Sequence, residues 1–253
     1  MPRLAANISH LFPELPLMQR FAAARAAGFE GVEILFPYDV PAAEIREALD
    51  ATGLALALVN APPKSVAPDH PAVPGSEDGF QAAMKEVLDY LAPLAPDAIH
   101  VMTGFTSGIE AEDTLVDNLR WLAEAAPEQL FTLEPLNLGD QPGYFMCDYD
   151  LALRVMDRVA RPNLGLQFDS YHSQVIHGDA LAVWQRVAPR VRHIQLGAPP
   201  ARTEPRLDQG PVDFAALFAA IEASGYDGWI SAEYGPTTAK TEDSLGWMAA
   251  LTA

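Results

Sequence analysis

The sequence predicts a (β/α)8 barrel, the TIM-barrel form of the α/β class, and three observations carry that prediction. The chain has 253 residues, close to the ~250 typical of this architecture. Short β-branched or Leu-rich runs alternate with longer Ala-rich amphipathic stretches, the rhythm of parallel strands covered by helices. Eight strand–helix units can be marked without a domain boundary, long-period repeat or low-complexity tail, so residues 1–253 read as a single domain. An open doubly wound sheet is the competing arrangement.

The predicted strands are Leu4–Ser9, Gly31–Leu35, Leu54–Asn60, Ala98–Met102, Leu130–Glu134, Leu164–Asp169, Val191–Leu196 and Gly228–Glu233. Predicted helices lie between them. Leu17–Ala27 closes on Gly28, and Pro41–Thr52 has Pro in its first turn and Gly53 past its end, the usual asymmetry of helix termini. Glu77–Leu91, Glu112–Ala126, Asp148–Val159, Asp179–Val187, Asp213–Ser224 and Glu242–Leu251 open on an acid, which suits the positive end of the helix dipole. Two helix-to-strand passages are nearly alike, AAGFEGVE from Ala26 and ASGYDGWI from Ala223: a glycine cap, one aromatic, a second glycine, then strand. The longest irregular stretch, Ala61–Ser76, is rich in Pro and follows the third strand; a lid over the barrel mouth and a plain surface excursion both suit such a loop.

Composition narrows the function. The formal net charge is −18, which repels phosphate backbones and makes nucleic acid an unexpected partner, while favouring the approach of a divalent cation. Cys147 is the one cysteine, so no internal disulfide forms, as expected in a reducing compartment. Neither GxGxxG nor GxxxxGK[ST] occurs, so nucleotide binding has no support. The opening MPRLAANISHLFPEL lacks the apolar core of a signal peptide, and no run reaches the ~18 apolar residues of a membrane span. A cytoplasmic protein without membrane contact is the expectation; a homo-oligomer is left open.

Barrel chemistry sits where strands end and loops begin. The fifth to eighth predicted strands each deliver one oxygen-bearing side chain to that rim: Glu134 in LFTLEPLN, Asp169 in LGLQFDSYH, Gln195 in RHIQLG and Glu233 in GWISAEYGP. A single acid at a strand end is usually a helix cap or a loop hydrogen-bonder. Three crowded carboxylates repel one another and stay partly protonated unless a cation joins them, and an oxygen-rich donor set suits Mg2+ or Mn2+. His172 follows Asp169 by three residues and can reach the same mouth. His193 shares a strand face with Gln195 and reads equally well as a buried histidine satisfied by a neighbour. Arg202 and Glu204 fall in the loop after the seventh strand, where an Arg can grip a substrate carboxylate with two bonds or form a surface ion pair. Asn60 and His100 are weaker candidates. Cys147 and His177 have no constellation around them, and Trp121, Trp184, Trp229 and Trp247 read as packing residues.

At these residues the chain resembles the hydroxypyruvate isomerases of the xylose-isomerase-like TIM-barrel superfamily. The similarity runs nearly end to end, through RLAANISHLFPELP, AGFEGVEILFPYD, HVMTG, LEPLN with PGYF, RPNLGLQFDSYH, HIQ and GYDGWISAEY. It implies an aldose–ketose type isomerisation of hydroxypyruvate to 2-hydroxy-3-oxopropanoate, with a small hydroxy-oxo acid as the partner. It implies an acid/base pair in Glu134 and Glu233, a divalent metal on Glu134, Asp169, Gln195 and Glu233, and substrate contacts from His172, Arg202 and Glu204. Three departures frame the mouth and bear on substrate choice: Gly235 stands where the family's EYKP has Lys, the loop after the seventh strand is lengthened through Arg206–Asp213 with Pro211 in place of Glu, and Lys64–Gly75 follows the family poorly. The competing readings are a ketose 3-epimerase, a 2-oxo-tetronate or sugar isomerase, and a non-catalytic binding barrel. The endonuclease branch of the superfamily needs more histidine ligands and a basic face.

Overall fold

The computed structural model describes residues 3–61 and 70–252. Eight strands close into a barrel in sequence order: β1 Arg3–Asn7, β2 Gly31–Ile34, β3 Ala55–Ala61, β4 Ala98–Val101, β5 Leu130–Leu133, β6 Leu164–Asp169, β7 Val191–Leu196 and β8 Trp229–Ala232. Every pairing is parallel and β1 pairs with β8, which decides for the closed barrel over the open sheet. Helices α1 Leu17–Ala26, α2 Ala42–Thr52, α3 Glu77–Leu91, α4 Ile109–Ala125, α5 Tyr149–Val159, α6 Ser170–His177, α7 Ala180–Val187, α8 Phe214–Ala223 and α9 Ala249–Thr252 follow in the order of the chain.

Three local expectations change. The connection after β6 holds an additional helix, α6, because Asp169 ends the strand and at once caps a helix: its carboxylate accepts from the Tyr171 N–H. The acids predicted to begin α5, α7 and α8 sit one residue earlier. Asp148, Asp179 and Asp213 are cap residues whose carboxylates accept from Asp150, Ala182 and Ala216 N–H groups, donors that otherwise go unpaired at a helix start. The final predicted helix is mostly 3-10 helix over Thr241–Met248 before α9. Of the Pro-rich Ala61–Ser76 stretch, residues 62–69 lie outside the described residues, and with them the central part of the lid expectation.

The main apolar core lies between the strands and the helix layer. Phe21, Phe80, Phe168, Trp184 and Phe214 are fully enclosed there. Inside the barrel, a small separate cluster of Ala5, Ala57 and Trp229 fills the lower end. Above it the lining is polar. Asn7, Glu33, His100, Thr132, Gln167, His193 and Ser231 are all buried, and bonds from Glu33 on β2 to His193 and Gln195 on β7 cross the interior.

The two glycine passages have one cause each at each glycine. Gly28 and Gly225 adopt φ of +94° and +73°, the left-handed region where a side chain is strained. Gly31 makes room instead: a Cβ there would lie 2.8 Å from the Trp229 ring and 3.2 Å from the Ala55 carbonyl oxygen. Neither neighbour can yield, since one is a rigid ring and the other backbone. Gly31→Ala is expected to destabilise the protein by ~1–3 kcal/mol through overpacking, read as a lower urea midpoint at unchanged m-value; an unchanged midpoint would contradict this account of the barrel floor.

Candidate active site and cation-binding site

The strand ends bring Glu134, Asp169, Gln195 and Glu233 to one rim. Asp169 and Gln195 are register partners, and all four side chains are buried. Glu134 Oε2 accepts from Gln167 Nε2 at 2.8 Å and lies 3.5 Å from His100 Nδ1. Glu233 Oε1 and Asp169 Oδ2 accept from the same guanidinium nitrogen of Arg202, at 2.7 and 2.6 Å. One oxygen of each glutamate, Glu134 Oε1 and Glu233 Oε2, is buried with no hydrogen-bond partner among the described residues.

Burial, joined by the neighbouring charges of Glu233 and Asp169, raises the Glu134 carboxyl well above its ordinary value. Burial likewise raises Glu233, with Arg202 opposing and Glu33 and Asp169 adding to the rise. Arg202 itself is held charged: burial works against it, but the surrounding carboxylates outweigh burial and raise its pKa. Its backbone is left-handed at φ +52°. The close approach depends on Gly197, where a Cβ would come within 3.0 Å of Arg202 Cγ and of the Glu233 carbonyl oxygen. Tyr171 lies under the guanidinium at 5.3 Å.

His172 is held in one tautomer. The Asn137 backbone N–H donates to its Nδ1 at 3.1 Å, so a neutral ring carries its proton on Nε2. Burial pushes the imidazole down to about 4, and the Nε2–H faces Glu134 and Asp169 at 3.9 and 3.8 Å. Glu134, Asp169 and His172 each offer an atom within 4.8 Å of the others, yet a ring whose Nδ1 must accept is suited to donate from Nε2 rather than to ligate through it. The unpartnered glutamate oxygens, Asp169 and the Gln195 amide oxygen form the better donor set for a hard divalent ion.

A cavity of about 150 Å³ opens beside these groups, lined by Asn60, His100, Glu134, His172, Arg202 and Glu233 among others. Glu204 is not brought to it; its carboxylate accepts from the Thr237 N–H at 3.0 Å and from the Thr237 hydroxyl, tying two loops together. Gly235 donates its N–H to the Arg202 carbonyl and has open space where a side chain would stand. Of its two readings, His193 is the buried histidine bonded to a neighbour: it donates from Nε2 to Glu33 at 2.8 Å, and its Nδ1 has no hydrogen-bond partner among the described residues.

Sequence reasoning missed Glu33 and Gln167. Glu33 receives bonds from Asn7, His193 and Gln195. Burial would raise its pKa, but the bond and charge of His193 lead the contributions that keep it lowered. The signal for both was present: an acid inside the apolar run GVEIL, and a glutamine two residues before Asp169 on the same strand face.

Glu134 and Glu233 hold protons in the folded chain above the 4.5 at which the unfolded chain loses them. The folded state therefore binds more protons in that window, and their contribution to stability falls as pH rises through it. A cation held by these carboxylates would displace those protons. The increase in Tm on adding Mn2+ is expected to grow from about pH 5 to about pH 8 and to shrink in Glu134→Gln; an equal increase at both pH values would contradict the shared site.

Residues 21–251 match the family described as Xylose isomerase-like TIM barrel. The 2-oxo-tetronate isomerase of Cupriavidus necator is 40% identical over 98% of both chains. The hydroxypyruvate isomerase of Escherichia coli is 35% identical, again over 98% of both. A solved Brucella melitensis structure described as an AP endonuclease, family 2, superposes with a TM-score of 0.91 at 37% identity, covering 98% of each chain. The chain is an isomerase and belongs to the xylose isomerase-like TIM barrel family.

Proposed function

We infer that the protein is a metal-dependent aldose–ketose isomerase acting on a small hydroxy-oxo acid, with hydroxypyruvate and 2-hydroxy-3-oxopropanoate as the pair it interconverts. The observation that carries this reading is the pair of buried glutamates, each with a raised pKa and one unpartnered oxygen, lining the same cavity. Its volume of about 150 Å³ is below the ~300 Å³ at which drug-sized pockets begin, which favours a substrate of few carbons.

Glu134, Asp169, Gln195 and Glu233 would hold a divalent ion, Mg2+ or Mn2+, whose Lewis acidity lowers the cost of negative charge on the substrate oxygens. The residues do the rest. One of Glu134 and Glu233 takes the proton from the carbon beside the carbonyl, giving an enediolate. The other supports return of a proton to the adjacent carbon. His172 presents its Nε2–H to a substrate oxygen, where a fixed donor stabilises developing charge. The Arg202 guanidinium can pair with the substrate carboxylate through two bonds.

A second reading is favoured by one observation. The 40% identity to a 2-oxo-tetronate isomerase exceeds the 35% to a hydroxypyruvate isomerase, so a four-carbon 2-oxo acid is the alternative substrate. A net charge of −18 argues against the nucleic-acid substrate that the description of the Brucella protein names.

Purified protein is expected to convert hydroxypyruvate in the presence of Mn2+ or Mg2+, followed through reduction of the aldehyde product, and to lose turnover with chelator. Glu134→Gln and Glu233→Gln should each lower kcat by about 10²–10⁴-fold. Turnover of a 2-oxo-tetronate with none of hydroxypyruvate would move the assignment to the four-carbon acid. Metal-independent behaviour, with Glu134→Gln matching the wild type, would sink the mechanism.

A further inference from the structure

Glu33 takes no part in the proton transfer, yet it is fully buried and three donors converge on it. Asn7 Nδ2 and Gln195 Nε2 donate to its Oε1 at 2.8 and 2.5 Å, and His193 Nε2 donates to its Oε2 at 2.8 Å. A carboxylate only accepts, so each neighbour must turn a donor toward it. This decides the orientation of the Gln195 amide. Its NH2 lies on Glu33, and its Oε1 lies on the opposite side, accepting from Gln167 Nε2 at 2.6 Å.

The reversed amide would set oxygen against the Glu33 carboxylate and NH2 against NH2 at Gln167. Gln167 is fixed in the same way. Its Oε1 accepts from Thr132 Oγ1 at 3.0 Å, and its Nε2 also reaches Glu134 Oε2 at 2.8 Å. One direction of donation thus runs from Thr132 through Gln167 and Gln195 to Glu33, with a branch to Glu134.

We propose that Glu33 is a positioning residue that sets the polarity of this chain of bonds, keeping the Gln195 oxygen available on the side of Glu134 and Asp169 and, through Gln167, engaging one oxygen of Glu134 so that the other is free. This rests on the reading of Gln195 and Glu134 as cation ligands given under Proposed function. An amide at position 33 offers one acceptor oxygen where three donors arrive. Its NH2 then meets a donor, the NH2 of Gln195 or the Nε2–H of His193, so either Gln195 turns over or the His193 ring moves its proton to Nδ1. Supplying a carboxylate at position 193 gives the new NH2 an acceptor and returns the position-33 oxygen to Asn7 and Gln195.

The experiment is titration with Mn2+, followed by the free-ion EPR signal, on proteins whose fold is checked by circular dichroism. Glu33→Gln is expected to weaken Mn2+ binding about ten- to a hundredfold, and the double variant Glu33→Gln/His193→Glu to recover most of that loss, which a role in packing alone would not do. A folded Glu33→Gln protein that binds Mn2+ like the wild type overturns the proposal. A wild type that binds no Mn2+ sinks the reading of the site itself, and this proposal with it. If Glu33→Gln does not fold, nitrogen-15 imidazole spectra of the wild type decide: a proton on His193 Nε2 is expected, and its absence there overturns the proposal.

Discussion

The arrangement depends on carrying carboxylates inside a barrel without letting their repulsion open it. Glu33, Glu134, Asp169 and Glu233 are all enclosed. Each meets the cost of leaving water differently. Glu33 gathers three donors. Asp169 shares itself between a helix N-terminus and Arg202. Glu134 and Glu233 are held with one oxygen bonded and one unpartnered, and their raised pKa values record the unmet part of that cost. An acid raised in this way keeps its proton to a higher pH than an exposed glutamate does.

A division of labour makes this tolerable. Barrels are commonly filled by branched apolar layers, but the apolar cluster set apart from the helix-side core here is small, made of Ala5, Ala57 and Trp229. The stabilising burial is displaced outward, to the shell of Phe21, Phe80, Phe168, Trp184 and Phe214 between strands and helices. The polar interior can then be specified by directional bonds rather than by volume. Such networks fix a unique arrangement only when nearly every member is satisfied. Both register irregularities in the barrel fall beside this network, between Val32 and Glu33 and between Leu166 and Gln167.

The outline of the fold was legible because strand and helix periods differ and glycine caps mark the joins. The rim acids Glu134, Asp169 and Glu233 were legible because each ends an apolar run. What escaped was information that exists only across the barrel. Glu33 and His193 are 160 residues apart in sequence and 2.8 Å apart in space, and no spacing rule links them. Helix α6 escaped because one residue, Asp169, both ends a strand and begins a helix, leaving no loop to announce it. Glu204 looked like a mouth residue on its position, but a hydroxyl and an N–H from Thr237 draw its side chain elsewhere.

The double employment of Asp169 has a consequence for which residues that position can accept over evolutionary time. A helix cap tolerates Ser, Thr, Asn or Asp, whose short side chains fold back onto the first turn. Partnership with a guanidinium or a cation calls for a negative charge, which Asp and Glu supply. Aspartate alone belongs to both sets. A drift to Asn would keep α6 and forfeit the charge, while a drift to Glu would keep the charge on a longer arm that caps less well. His172 sits in the first turn of that helix, so either change would also disturb the donor beside it. A single carboxylate thereby ties the start of a helix and the function at the barrel mouth into one inheritable unit.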